Sequence, residues 1–178
     1  MRCMVIYESM FGNTHAIADE IAAGLSEIGD VQVSPTGAAS AVDLAEADLI
    51  VVGGPTHLHG MSSKKTRLAA VDTAAEDPSL ELDDDVGGPG LREWFKDLPN
   101  GGGRFGVAFD TRIDKAEFIS GSAARGIARR LRHHGYQELL EHESFVLDGN
   151  GPVSEFEAER ARHWGQLLAS QCRVLNIQ

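Results

Sequence analysis

The chain has 178 residues, 42% of them hydrophobic, which is enough for one domain with a substantial core and argues against disorder. Its 27 acidic residues outweigh 16 basic ones for a net charge of −11, which would repel nucleic-acid phosphates and favours solubility and a basic protein partner. No apolar run is long enough to cross a bilayer, and Met1–Val5 enters a strand-like run without the longer apolar region and small-residue cleavage site of a secretory signal, so none is expected. Cys3 and Cys172 have neither metal-ligand nor C-x-x-C spacing, so the expectation is a cytoplasmic protein with reduced thiols.

The first predicted element is a strand over Cys3–Tyr7, apolar throughout, as strands covered on both faces are. It runs into Glu8-Ser9-Met10-Phe11-Gly12-Asn13-Thr14 and then a helix over 14–28, where Ile17, Ile21, Leu25 and Ile28 recur at helical spacing. Phosphates bind at such strand-to-helix junctions, where free N–H groups and the helix dipole point at the anion. Ser9 and Thr14 offer hydroxyl donors, Asn13 offers an amide donor, and Gly12 lets the backbone turn tightly and approach a ligand. Neither the Walker pattern with its lysine nor G-x-G-x-x-G is present, so the loop suits one terminal phosphate held by neutral donors. The same turn also reads as an ordinary helix start capped by Asn13 or Thr14.

A weaker strand follows at Val31–Val33, then a short helix starting at Asp43, with Glu46 three residues on. Leu49–Val52 is the third strand, and Gly53-Gly54-Pro55-Thr56-His57-Leu58-His59-Gly60 follows it as a loop. Residues 61–90 form an insert too long for a structureless loop, so an extra helix is expected over 65–75. Its Asp83-Asp84-Asp85 has a metal-like composition, but consecutive aspartates do not point one way. Leu91, Trp94 and Phe95 mark another helix, and Phe105–Phe109 the fourth strand, followed by Asp110-Thr111-Arg112.

From Ser122 to His133, Ala124, Ile127, Ala128 and Leu131 share a helix face, with Arg125, Arg129, Arg130 and Arg132 as its solvated side. A last strand is expected around Glu143–Leu147. Ser154-Glu155-Phe156-Glu157 reads as a capping box opening the final helix, whose buried stripe is expected to be Phe156, Trp164, Leu167, Leu168 and Leu175. This alternation predicts a doubly wound α/β fold with a five-stranded parallel sheet, in one domain over 1–178. Ligands of such sheets sit beyond the carboxyl ends of the strands. The three unusual loops all fall there.

The loops resemble those of flavodoxin-like proteins, and the likeness runs over nearly the whole chain. Ser9-Met10-Phe11-Gly12-Asn13-Thr14 is similar to the family's hydroxyl-rich phosphate loop, and Gly53 to Gly60 to its second loop. Phe118-Ile119-Ser120-Gly121, followed by Arg130-Leu131 and Gly135, resembles the third loop and its helix. The resemblance implies strand order 2-1-3-4-5 and FMN in the crevice between the first and third strands. It assigns cofactor contacts to Ser9, Met10, Phe11, Gly12, Asn13 and Thr14, to Pro55, Thr56, His57, Leu58, His59 and Gly60, and to Asp110, Thr111 and Arg112. Many flavodoxins stack a Tyr and a Trp on the flavin, and these loops contain neither. Phe118, Phe11, His57 and Arg112 are the candidates for that contact.

What the resemblance implies for function is electron transfer through FMN to a redox partner protein or small acceptor, by a monomer or homodimer. Two alternatives stand beside it: an FMN-dependent NAD(P)H:quinone-type oxidoreductase, with the insert shaping a second pocket, and a flavodoxin-like module without flavin. Gly60 is expected to permit a backbone flip that offers a hydrogen bond to the flavin on reduction.

Overall fold

Strand β1 (Arg2–Tyr7) explains its unbroken apolar run through the alternation of its side chains. Cys3, Val5 and Tyr7 enter one core with Ile17, Ile21 and Trp164, whereas Met4 and Ile6 enter a second core with Leu91, Phe95 and Ile127. Both faces of the sheet are therefore covered. The computed structural model describes residues 1–57, 60–77, 80–114, 121–149 and 151–177.

After β1 come α1 (Asn13–Leu25), which tightens into a 3₁₀ turn over Ser26–Ile28, β2 (Asp30–Pro35), α2 (Ala41–Glu46), β3 (Leu49–His57) and β4 (Gly60–Met61). Then follow α3 (Lys64–Glu76), α4 (Leu91–Asp97), β5 (Phe105–Ile113), α5 (Ala123–His133), β6 (Gln137–Glu138), β7 (Glu143–Leu147) and α6 (Glu155–Val174). The sheet runs β2-β1-β3-β5-β6, with β4 antiparallel on β3 and β7 parallel on β5. The expected order 2-1-3-4-5 differs only in detail. The β4 hairpin shifts the numbering, and the fifth position is shared by two short strands that flank β5 at Phe105–Gly106 and at Phe109–Ile113.

Several expectations need correction. Gly53 to His57 and Asp110 to Arg112 are strand residues rather than loop residues, because Gly53, Gly54 and Pro55 pair in parallel register with Phe109, Asp110 and Thr111. The short helix is capped by Ser40, whose hydroxyl accepts the Asp43 N–H at 3.1 Å, so Asp43 sits inside the first turn. The insert helix is real and slightly longer than expected, opened by a Ser63–Thr66 capping box. On α6, Ser154 caps as expected, accepting the Glu157 N–H at 3.3 Å. The Glu157 carboxylate instead leaves the cap and accepts the Val146 N–H of β7 at 2.9 Å.

Of the expected α6 stripe Trp164 and Leu168 are buried, but Phe156 is 70% exposed, and Leu167 and Leu175 are also exposed. The buried face is Ala161, Trp164, Gly165, Leu168, Ala169 and Cys172. Small residues set it because α6 lies on α1 at very close range. A Cβ at Gly165 would overlap the Ile21 carbonyl, and one at Gly24 the Arg162 carbonyl.

Candidate functional site

Beyond the carboxyl ends of β1, β3, β5 and β7 lies a cavity of about 270 Å³. Its walls include Ser9 to Phe11, Asn13 and Thr14 from the first junction, Pro55 to His57 from β3, and Thr111, Arg112 and Ile113 from β5. Leu147 and Gly149 close it from the end of β7. Sequence reasoning missed Ile113, Leu147 and Gly149. The signal was available, since the end of every parallel strand opens on this side.

The first junction is not an ordinary capped helix start. The residue before α1 is Gly12, left-handed at φ 80°, and no side chain caps the helix. Asn13 instead donates through Nδ2 to the Gly151 carbonyl at 3.0 Å, and Thr14 shares a 2.8 Å hydrogen bond with Thr111 across the floor of the cleft. That bond follows from strand alternation, which turns Thr111 and Phe109 toward the α1 side of β5 and Asp110 toward the α5 side. Ser9 is buried, lines the cavity, and its Oγ has no hydrogen-bond partner among the described residues. A buried hydroxyl without a partner costs free energy unless something fills its place.

Not every expected residue reaches the cavity. Asp110 is completely buried beneath it. Its Oδ2 accepts from the Thr56 hydroxyl at 2.9 Å, the Ser122 hydroxyl at 2.9 Å and the Ala124 N–H at 2.8 Å. Gly60 pairs with His57 in the hairpin, has no positive φ and does not line the cavity. Leu58, His59 and Phe118 lie outside the described residues. Of the candidates for a flavin contact, Phe11, His57 and Arg112 are at the cavity wall. Burial lowers the His57 imidazole below its ordinary pKa, against an opposing pull from the Glu8 carboxylate.

Glu8 itself was not foreseen as more than part of the loop. Its side chain is buried and accepts from the Leu91 N–H at 2.7 Å and from the Ser62 hydroxyl, with the Arg67 guanidinium 4.0 Å away. Arg67 in turn donates to Glu93 at 3.0 Å. This clasp fastens α3 and α4 to the residue preceding Ser9. The insert also touches the loop directly, through the Asp83 N–H on the Met10 carbonyl at 2.8 Å. His15, stacked on Tyr7 with ring centroids 4.3 Å apart, faces the Asp83 carboxylate at 3.4 Å.

A doubly wound sheet with its cleft at the first and third strand tips defines the class as flavodoxin-like. Comparison with known proteins agrees. A family model described as a flavodoxin domain matches residues 4–72. A flavodoxin from the domain Archaea is similar over 97% of this chain and 99% of its own, at 21% identity and a TM-score of 0.67. A flavodoxin from Streptococcus pneumoniae TIGR4 is similar over 96% and 99%, at 23% identity and a TM-score of 0.66. A WrbA-like flavodoxin from Agrobacterium tumefaciens follows at 18% identity, 97% and 98% coverage and a TM-score of 0.60. Curated protein sequences yield no match. The chain therefore has the flavodoxin-like fold, with a flavodoxin domain matched over residues 4–72.

Proposed function

We propose that this protein binds FMN in the cleft and carries electrons to a redox partner. The observation that carries the proposal is the Ser9 hydroxyl, buried at the cavity wall and without a partner among the described residues, beside a helix start with no side-chain cap among them. Those donors fit a terminal phosphate. Thr14 and Asn13, already bonded to Thr111 and Gly151, hold the cradle in place as much as they donate. Met10, Phe11, Pro55, Ile113 and Leu147 supply an apolar wall for a planar ring, with His57 and Arg112 as its polar neighbours.

FMN, when bound, supplies one- or two-electron redox chemistry. The chain sets the electrostatics around it. Asp72, Glu76, Asp77, Glu81, Asp84 and Asp85 are exposed on the insert, and no Lys or Arg occurs between Leu68 and Leu91. This acidity beside the phosphate loop disfavours adding an electron to the ring, within the limits of salt screening, and favours a partner with a basic surface.

The test is an absorption spectrum of the purified protein before and after FMN is added, followed by an assay for NAD(P)H oxidation with quinone acceptors. Flavin bands with negligible NAD(P)H turnover are expected. Rapid turnover would put the reductase alternative first, and a protein that stays colourless in excess FMN would overturn the proposal.

A further inference from the structure

Resting on the FMN reading above, we infer that Asp110 is a positioning residue for the ring-binding wall of the cleft, acting through Thr56 without touching the ligand. Asp110 is fully buried, absent from the cavity wall, and gathers three donors on a single oxygen. Two of those donors, the Ser122 hydroxyl and the Ala124 N–H, belong to the start of α5. The third is the hydroxyl of Thr56, which also accepts the Ala123 N–H at 2.8 Å.

Thr56 therefore has its donor committed to Asp110 of β5 and an acceptor position committed to the first N–H of α5. It lines the cavity, yet its hydroxyl is occupied in fixing β3 to the helix. The next residue, His57, is the last of β3 and pairs with Gly60 across the hairpin. Whatever moves Thr56 moves His57 and the hairpin with it.

The electrostatics suit this role. The first N–H groups of a helix carry partial positive charge, and a buried carboxylate facing them is stabilised there. A neutral apolar side chain at 110 would leave the Thr56 and Ser122 hydroxyls and the Ala124 N–H without their acceptor. An amide retains a carbonyl oxygen for them. Among the described residues the phosphate end of the cleft, built from Ser9 and α1, shares no hydrogen bond with the Asp110 side chain; its link to this part of β5 is the Thr14–Thr111 bond, on the opposite face of the strand.

The experiment measures FMN and riboflavin affinity by fluorescence quenching in the whole chain, for wild type and for Asp110→Ala, Asp110→Asn and Thr56→Val. Riboflavin lacks the phosphate and so reports on the ring wall alone. Asp110→Ala is expected to weaken FMN and riboflavin by the same factor, about tenfold for the loss of roughly one charged hydrogen bond. Their ratio should stay at the wild-type value. Asp110→Asn should recover most of the loss. Thr56→Val should reproduce it, with no further loss in the Asp110→Ala, Thr56→Val double variant. If Asp110→Ala fails to fold, Thr56→Val carries the same prediction.

Wild-type riboflavin affinity in both Thr56→Val and Asp110→Ala would overturn the inference, as would a loss confined to FMN. A wild-type chain that binds neither flavin would overturn the proposed function, and this inference with it. Flavin binding by the wild type with indifferent variants overturns the inference alone.

Discussion

Replacing Glu8 by Ala tests the idea that the insert is held to the sheet by a charged clasp. The carboxylate is 5% exposed and accepts two hydrogen bonds, from the Leu91 N–H at 2.7 Å and from the Ser62 hydroxyl. Hydrogen bonds to a charged group contribute about 1.5–3 kcal/mol each, so their joint loss is about 3–6 kcal/mol. Arg67 keeps its 3.0 Å bond to Glu93, which limits the cost of stranding its charge. The top of that range is therefore not reached, and about 3–5 kcal/mol is expected, as for removal of one partner from a buried pair. In a domain of this size each kcal/mol lowers the melting temperature by roughly 2–4 °C, giving a drop of about 6–20 °C. Glu8→Gln, which keeps one oxygen acceptor, should fall between the two. Thermal unfolding by far-UV circular dichroism measures the shift, and hydrogen exchange should show α3 losing protection first. A Glu8→Ala protein melting within about 2 °C of wild type would refute the clasp.

Other expectations follow from the cleft and the helix contact. Ser9→Ala should weaken FMN by about tenfold while leaving riboflavin unchanged, and equal losses for both flavins would remove Ser9 from the phosphate site. Gly165→Leu forces α6 off α1 at the Ile21 carbonyl and should destabilise the chain by roughly 3 kcal/mol or more, read as a shift in the urea midpoint; a neutral effect would mean the helices do not meet there. His57 gives a pH signature. Its folded pKa lies below the ordinary 6.5, so the unfolded chain binds the proton first and stability falls as pH drops through that range, until the folded form is protonated too. His57→Gln should flatten urea midpoints measured between about pH 7.5 and 5.5; a slope equal to the wild type would count against a half-buried imidazole with a lowered pKa.

Much of the fold was legible because its central strands are covered on both faces. Runs such as Cys3–Tyr7 and Leu49–Val52 admit few other readings. The strand ends were not legible. Gly53, Gly54 and Pro55 have poor strand propensity, and only their pairing with β5 keeps them extended, a tertiary effect that no local pattern carries. The α6 stripe failed for a related reason. Large apolar residues were assumed to face inward, but the partner helix meets α6 at Gly24, so Ala161, Gly165 and Ala169 face it while Phe156 is left outside. At the cleft, residue type identified the Ser9–Thr14 junction. It did not reveal that Asp110 turns to the opposite side of β5 from Thr111, nor that Glu8 is the anchor of the insert.

The α1–α6 contact also orders events during synthesis. The first core forms around β1 and α1, yet Ala161, Trp164, Leu168, Ala169 and Cys172, which cover it, arrive with the last helix. Until α6 leaves the ribosome, Ile17, Ile21 and Leu25 have no lid, and the nascent chain presents an apolar surface to chaperones and proteases. A translational stall or cleavage ahead of residue 155 would therefore leave that surface uncovered, giving a sticky intermediate rather than a smaller working domain.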